Sequence, residues 1–266
     1  MGAMNEIENT TEAVKNTSEL ANNVYSDLRP IIQPVAKCIG NVLEFASCVT
    51  LPLQYWTGVA KANYAKRLEE YSKKLENVSE QDRCEVHPEI GVPIMQALPY
   101  TTNDDIAEMF TNLLASASIS SMAGSAHPAF VEYIKQMSPD EAKIVQYLKN
   151  QNYIPYITMR ANFEPPRQGF VTPVEKMVSI DRELTLVYPD NIKIDISNLL
   201  SLGVLADAST LHLADDSLYQ KIINLKGLDA LKARYENMRE IKNVTYTKGY
   251  YEKTEIGKLF IKACCR

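Results

Sequence analysis

Histidine is scarce in this chain, with three copies among 266 residues, and the common catalytic motifs are missing. His87, His127 and His212 have no cysteine or carboxylate at the spacing that a zinc site requires. The sequence has no dinucleotide-binding GxGxxG, no phosphate-binding P-loop, no GxSxG and no HExxH. It therefore predicts no catalytic residues, no cofactor and no metal site, and we expect the protein not to be an enzyme.

Cysteine is also scarce. The five copies (Cys38, Cys48, Cys84, Cys264 and Cys265) lack the spacing of a disulfide framework or of metal ligands. No secretory signal precedes them, so we expect reduced thiols in a cytoplasmic protein. The adjacent Cys264 and Cys265 are assigned no function, because buried or unreactive thiols are the commoner case.

Basic residues are fewer than acidic residues in this chain. The chain has 28 Lys and Arg against 33 Asp and Glu, which gives a net charge of -5 and a pI of about 5.4. Non-specific attraction to nucleic acid depends on the phosphates that Lys and Arg neutralise. We therefore do not expect nucleic acid to be the main partner.

A long uninterrupted apolar run is absent as well. The most apolar segment, RPIIQPVAKCIGNVLEFASCVTLPLQYW, carries polar residues at helical intervals, which favours an amphipathic helix over a membrane-spanning one. We predict that its apolar face packs against a protein partner or a second copy. Reversible contact with a membrane surface is the alternative. The residues of this predicted contact are Ile32, Val35, Ile39, Val42 and Trp56.

Helical patterns dominate what the sequence does contain, with 45% hydrophobic and 23% charged residues. Phe110 and Leu114, for example, lie on one apolar stripe and are predicted core residues. The predicted fold is mainly α. Amphipathic helices are expected over residues 1–80, the core of a helical bundle over 81–137, and a winged-helix-like α+β domain with insertions over 138–266.

Several helix starts can be read from local chemistry. Ser138 and Glu141 stand at the two ends of a capping box, with Pro139 at the first helical position. The pairs Asp104-Asp105 and Asp215-Asp216 also fall at predicted helix starts. Because carboxylates are favoured at the positive end of a helix, these pairs need no catalytic explanation.

The order of elements after Ser138 is typical of a winged-helix domain. A capped helix is followed by a second helix ending in LLSLGVL, and VTYTKGYYEK reads as a hairpin, or wing, that turns at Lys-Gly. The second helix would be the recognition helix, but DNIKIDISNLLSLGVLAD has one Lys against three Asp. If this domain contacts nucleic acid weakly, Lys248 and Lys253 of the wing are the predicted contacts.

Two segments resemble the abortive-infection alpha family of bacterial proteins. The first is LPYTTNDDIAEMFTNLLASASISSMAGSAHPAFVEYIKQMSPDEAKIVQYL, and the second is the closing YYEKTEIGKLFIKAC, in which Glu255 stands where relatives often have proline. The resemblance implies a role in defence against phage, in which an infected cell stops supporting phage growth. It implies no known catalytic activity and supplies no catalytic residues.

These observations predict an antiphage protein that acts without catalysis, through contact with another protein or by self-association. Two alternatives stay open. One is a winged-helix DNA-binding regulator, and the other is a membrane-perturbing effector that uses the N-terminal amphipathic helix.

Overall fold

The fold was obtained as a computed structural model, in which residues 58–266 are described. The predicted N-terminal contact residues lie outside the described residues, and so do Cys38 and Cys48. The chain divides into two compact units. The first contains residues 58–136 together with Lys262–Arg266, and the second is Met137–Ile261. The predicted boundaries at residues 80 and 137 stay predictions.

The described residues form nine α-helices, four strands and several short 3-10 turns, which confirms the prediction of a mainly helical protein. The helices are α1 Gly58–Leu75, α2 Pro88–Ala97, α3 Asp104–Ala117, α4 Ala129–Lys135, α5 Pro139–Leu148, α6 Ile192–Ser201, α7 Asp216–Lys226, α8 Leu228–Glu236 and α9 Glu255–Cys264. The strands are β1 Tyr153–Phe163, β2 Phe170–Met177, β3 Leu205–Asp207 and β4 Ile241–Lys253.

Helix α3 is central to the first unit. Asn103 caps it, since its side-chain oxygen accepts a hydrogen bond from the Ile106 amide at 3.0 Å. Phe110 and Leu114 are buried, as predicted. Burial also extends beyond the apolar stripe, because every residue from Met109 to Ala117 is buried.

Two buried polar side chains on α3 donate hydrogen bonds to the end of α9. Asn112 donates to the Cys264 carbonyl at 2.9 Å, and Ser116 donates to the Ala263 carbonyl at 2.8 Å. Cys264 and Cys265 are themselves buried. Burial raises the pKa of the Cys264 thiol well above its usual value, which disfavours the reactive thiolate.

The helix signals of the second unit are also observed. The Ser138 hydroxyl accepts from the Glu141 amide at 3.1 Å, and the Glu141 carboxylate accepts from the Ser138 amide at 3.4 Å. Gly203 has a φ of 70° just after α6, and Gly227 has a φ of 62° between α7 and α8. Both glycines occupy the left-handed region that ends a helix.

The sheet of the second unit has the strand order β2-β1-β4-β3, and every neighbouring pair is antiparallel. One face of the sheet packs against α7 and α8 in an apolar core. Its fully buried members are Ile157, Met159, Ala161, Tyr219 and Ile222. Residues that alternate with these along β1 and β4 point to the opposite face.

The predicted wing hairpin was wrong, because Ile241–Lys253 forms the single strand β4. Gly249 allows the Tyr156 side chain to approach the backbone of β4 closely, and it does not form a turn. It lies opposite Tyr156 of β1, and a Cβ at this position would come 2.5 Å from the tyrosine hydroxyl oxygen. The strand therefore needs glycine here because an aromatic ring lies across it. On one side β4 instead pairs with β3. In the sequence, α7 and α8 lie between these two strands.

Candidate functional site on the open face of the sheet

The face of the sheet opposite the apolar core is partly exposed. Arg160 of β1 lies opposite Thr245 of β4, and Thr158 lies opposite Thr247. Arg160 and both β4 threonines are exposed, whereas Thr158 is half-buried. This surface, which we call the open face, belongs wholly to the second unit.

A polar network crosses all four strands at one end of this face. The Tyr156 hydroxyl of β1 donates to one oxygen of Asp207 in β3, at 2.6 Å. The Lys176 ammonium of β2 donates to the other Asp207 oxygen, also at 2.6 Å. The tyrosine passes over β4 at Gly249, where no side chain obstructs it. One carboxylate therefore ties both outer strands to the centre of the sheet.

The backbone of Lys176 is strained. Its φ is 46°, which is uncommon for a residue with a side chain and costs free energy. The Lys176 amide donates to the Thr158 hydroxyl at 3.1 Å, close to register shifts between β1 and β2. These contacts hold the strained conformation and direct the ammonium group to Asp207.

Tyr156 and the adjacent Tyr251, whose ring centres are 4.8 Å apart, stay protonated at neutral pH. Burial, followed by the hydrogen bond to Asp207, raises the pKa of Tyr156 above its usual value. Burial and the negative charges of Asp207 and Glu175 raise the pKa of Tyr251. The Tyr156 hydroxyl therefore stays a hydrogen-bond donor to Asp207, and the arrangement is suited to fixing the sheet rather than to removing a proton.

Arg160 has a different environment. Its guanidinium carbon lies 4.7 Å from the centre of the Phe170 ring, and half of Phe170 is exposed (50%). Within residues 58–266 the guanidinium forms no hydrogen bond or ion pair. A guanidinium that lies over an aromatic ring can keep its N–H groups available, and these groups bind carboxylate or phosphate oxygens.

The two lysines predicted to contact nucleic acid are both engaged inside the second unit. The Lys248 ammonium pairs with Asp216 and lies 5.6 Å from the centre of the Tyr219 ring. The Lys253 ammonium donates to the Leu148 carbonyl at 2.9 Å, and burial lowers its pKa. Lys248 pairs with Ile157, whose side chain belongs to the covered core, so it does not join Arg160. Contact of these lysines with nucleic acid stays a prediction.

A comparison with known protein families tests the family resemblance of the two sequence segments. The model of the family described as abortive infection alpha matches residues 60–264, which is most of the chain. The chain belongs to the abortive infection alpha family. Membership supports a role in abortive infection, a form of bacterial defence.

Other comparisons add little to the abortive infection alpha assignment. No curated protein matches the sequence. A solved structure of an uncharacterized protein from the hydrocarbon-degrading marine bacterium Alcanivorax borkumensis SK2 is similar to part of the chain. The TM-score is 0.33 and the identity 10%, over 54% of this chain and 94% of that one. Similarity at this level supports no functional conclusion.

The closing TEIG motif of this abortive infection alpha protein has a structural explanation. The Thr254 hydroxyl accepts from the Gly257 amide at 2.9 Å and donates to the Gly203 carbonyl at 2.5 Å. It thus caps α9 and joins that helix to the end of α6. Glu255, at the first helical position, pairs with Lys258. Relatives can place proline at this position because its amide has no partner within the helix.

The family segment MSPDEAKI supplies two carboxylates, Asp140 and Glu141, in or near the contact between α5 and α6, and α6 supplies a third, Asp195. Asp140 accepts from the backbone amides of residues 187 and 188, each at 2.7 Å. Glu141 accepts from the Asn198 side chain at 2.7 Å, and Asp195 accepts from the Ser138 hydroxyl at 3.2 Å. The second oxygen of Asp195 is buried without a partner.

No grouping of three or more His, Cys, Asp or Glu within residues 58–266 is arranged to hold a metal ion. In the same part of the chain, no helix has both the length and the apolar character needed to cross a membrane.

The incompletely paired carboxylate of Asp195 predicts an unusual pH dependence of stability. Burial, with a smaller effect of the Asp140 charge, raises the pKa of Asp195, while the Ser138 hydrogen bond opposes the rise. The folded state therefore binds a proton more readily than the unfolded chain. This contribution to stability is greatest below the ordinary aspartate pKa and is lost as the pH rises through the raised folded-state value.

We expect Asp195→Asn to stabilise the protein at neutral pH by about 1 kcal/mol, because it removes a buried, incompletely paired charge. The gain should shrink as the pH falls through the raised pKa of Asp195, because the folded protein then carries Asp195 in its protonated form. Urea unfolding between pH 4 and 8 measures both effects. Asp190→Asn, at an exposed position before α6, is the matched control. Parallel pH profiles for the two variants would show that Asp195 does not carry this titration.

Proposed function

We propose that this protein contributes to abortive infection without catalysing a reaction, by binding an acidic segment of a protein partner on the open face. The supporting observation is the Arg160 guanidinium, which is held on Phe170 and has no acidic partner in the described chain. A partner carboxylate can accept two parallel N–H bonds from such a group. The contact with Phe170 also restricts the Arg160 side chain, which reduces the conformational entropy that binding would otherwise cost.

The charges around the open face favour a protein over a nucleic acid. The neighbouring cations are already engaged, since Lys176 pairs with Asp207 and Arg167 lies 3.9 Å from Glu240. Nucleic-acid affinity comes from neutralising several phosphates at once. A single available guanidinium beside an exposed aromatic ring is more typical of the arginine and aromatic anchors at protein interfaces.

The edge of the sheet is poorly suited to binding a peptide as an added strand. Strand β2 is an outer strand, but Pro173 lacks an amide hydrogen and Lys176 departs from strand geometry. Both features interrupt the row of hydrogen bonds that strand addition needs. The proposed contact therefore uses side chains of the open face.

Arg160→Glu is expected to abolish protection against phage while leaving the melting temperature unchanged. Reversal of the charge repels an acidic partner, whereas an exposed side chain contributes little to folding. Plaque counts on cells that express each variant measure protection, and thermal unfolding of the purified proteins measures stability. Arg234→Glu, at an exposed arginine on α8, controls for the change in net charge.

Full protection by Arg160→Glu would contradict the proposal. So would tight, salt-sensitive binding of the parent protein to an oligonucleotide that this substitution removes, since the open face would then recognise phosphate.

A further inference from the structure

A pocket of about 200 Å³ lies in the second unit, apart from the open-face residues described above. It is formed by the end of α5, the turn over residues 150–152, the start of β1, the segment 179–183 and α7. Its volume falls below the roughly 300–1,000 Å³ of pockets that hold drug-sized ligands. It therefore suits a single small ring system.

A fixed carboxylate provides the pocket's hydrogen-bond acceptor. One oxygen of Glu183 accepts from the Lys221 ammonium at 2.9 Å and from the Ser179 hydroxyl at 3.1 Å. The other oxygen accepts no hydrogen bond from the described chain. The charge of Glu183 is offset by Lys221, so the pocket has no excess of positive charge for a phosphate. Its free oxygen is suited to an uncharged N–H donor.

The rest of the lining combines apolar and aromatic side chains with amide groups. Leu218 contributes apolar surface, and Tyr147 contributes an aromatic ring with a hydroxyl. Burial and the nearby charge of Glu183 raise the pKa of Tyr147, so its hydroxyl stays a donor. The side chains of Asn150, Gln151 and Asn152 are exposed and form no hydrogen bond within residues 58–266. They can pair with both donors and acceptors on a ligand.

We propose that this pocket binds a nucleobase that carries an exocyclic amino group, as in cytosine or adenine. The amino group donates to the free oxygen of Glu183, the ring lies against Tyr147 and Leu218, and the amides of residues 150–152 pair with the remaining ring edge. A carboxylate accepts from cytosine N4 in the same way where proteins read bases. This site is independent of Arg160 and does not depend on the proposed protein contact.

The chemistry predicts a sharp preference between two ligands of nearly the same size. Cytidine presents an amino group where uridine presents a carbonyl oxygen, and that oxygen would face the Glu183 carboxylate. A site built to accept a hydrogen bond rejects such an analogue strongly. We expect the full chain to bind cytidine at least tenfold more tightly than uridine, and adenosine at least tenfold more tightly than inosine.

Titration calorimetry of the full chain with these four nucleosides tests the proposal. Glu183→Gln should abolish the preference, because a glutamine amide can offer a donor to uridine. Glu175→Gln, at an exposed position in β2, should leave the preference intact. Leu218→Trp should fill the pocket and remove binding of all four ligands while the protein keeps its melting temperature.

Three results would overturn the proposal. They are the absence of binding to every nucleoside at millimolar concentration, equal affinity for cytidine and uridine, and a preference that Glu183→Gln leaves unchanged. If Leu218→Trp does not fold, Glu183→Gln alone decides the question, since it changes a partly exposed side chain.

Discussion

Replacing Gly257 with alanine is expected to destabilise the second unit by about 3 kcal/mol or more. A Cβ at Gly257 would overlap the Val204 carbonyl oxygen and lie 3.0 Å from the carbonyl carbon. Both atoms belong to backbone, which cannot move aside as a flexible side chain can. The Thr254 hydroxyl bonds to both the Gly203 carbonyl and the Gly257 amide. The start of α9 therefore cannot easily shift away from Val204.

Gly124→Ala is the matched control, because a Cβ at Gly124 meets nothing within 4 Å. Urea unfolding followed by circular dichroism compares the two variants with the parent. A Gly257→Ala protein as stable as the control would mean that α9 does not approach Val204 closely. The close approach would then not explain the glycine of the TEIG motif.

Leu114→Ala is expected to cost about 2–5 kcal/mol, the range found when a fully buried leucine is truncated. Leu114 is fully buried (0% exposed) on α3, and its carbonyl accepts from the buried Ser118 hydroxyl at 2.7 Å. The lost side chain leaves a cavity that rigid neighbours cannot fill completely. Leu225→Ala provides the comparison, since Leu225 on α7 is 47% exposed and should change stability by less than about 0.5 kcal/mol. Equal melting temperatures for the two variants would contradict the buried position of Leu114.

The helices could be predicted because their signals are local. The capping box at Ser138 and Glu141 spans four residues, and the left-handed glycines at 203 and 227 lie within two residues of the ends of α6 and α7. Short-range chemistry of this kind acts before any distant part of the chain is in place. The family resemblance rested on the same helical segments, and the match over residues 60–264 confirms it.

The sheet could not be predicted in the same way, because the pairing of its strands depends on residues that are far apart in the sequence. Lys248 and Gly249 resemble a turn when read alone, and only the approach of Tyr156 shows why a strand needs glycine there. Pro155 lies near the start of β1, an inner strand. Its position there fits the places that sheets allow to proline, such as the start of a strand.

The candidate site could not be predicted from the sequence for a related reason. Tyr156, Lys176 and Asp207 come from three strands, and no spacing between them marks a known motif. Arg160 and Phe170 meet only because β1 and β2 pair in one particular register. An arginine inside an alternating strand pattern was the one local signal available, and an ordinary exposed residue explains it equally well.

The hydrogen bonds that Asn112 and Ser116 make to α9 also set an order of events during synthesis. The ribosome makes residues 58–136 before the second unit, but the first unit also includes Lys262–Arg266, which follow the whole of the second unit. A nascent chain that ends before residue 262 leaves both side chains without their carbonyl acceptors. Closure of the first unit is therefore delayed until translation has passed through the second, so a prematurely terminated chain carries neither the closed unit nor its buried thiols.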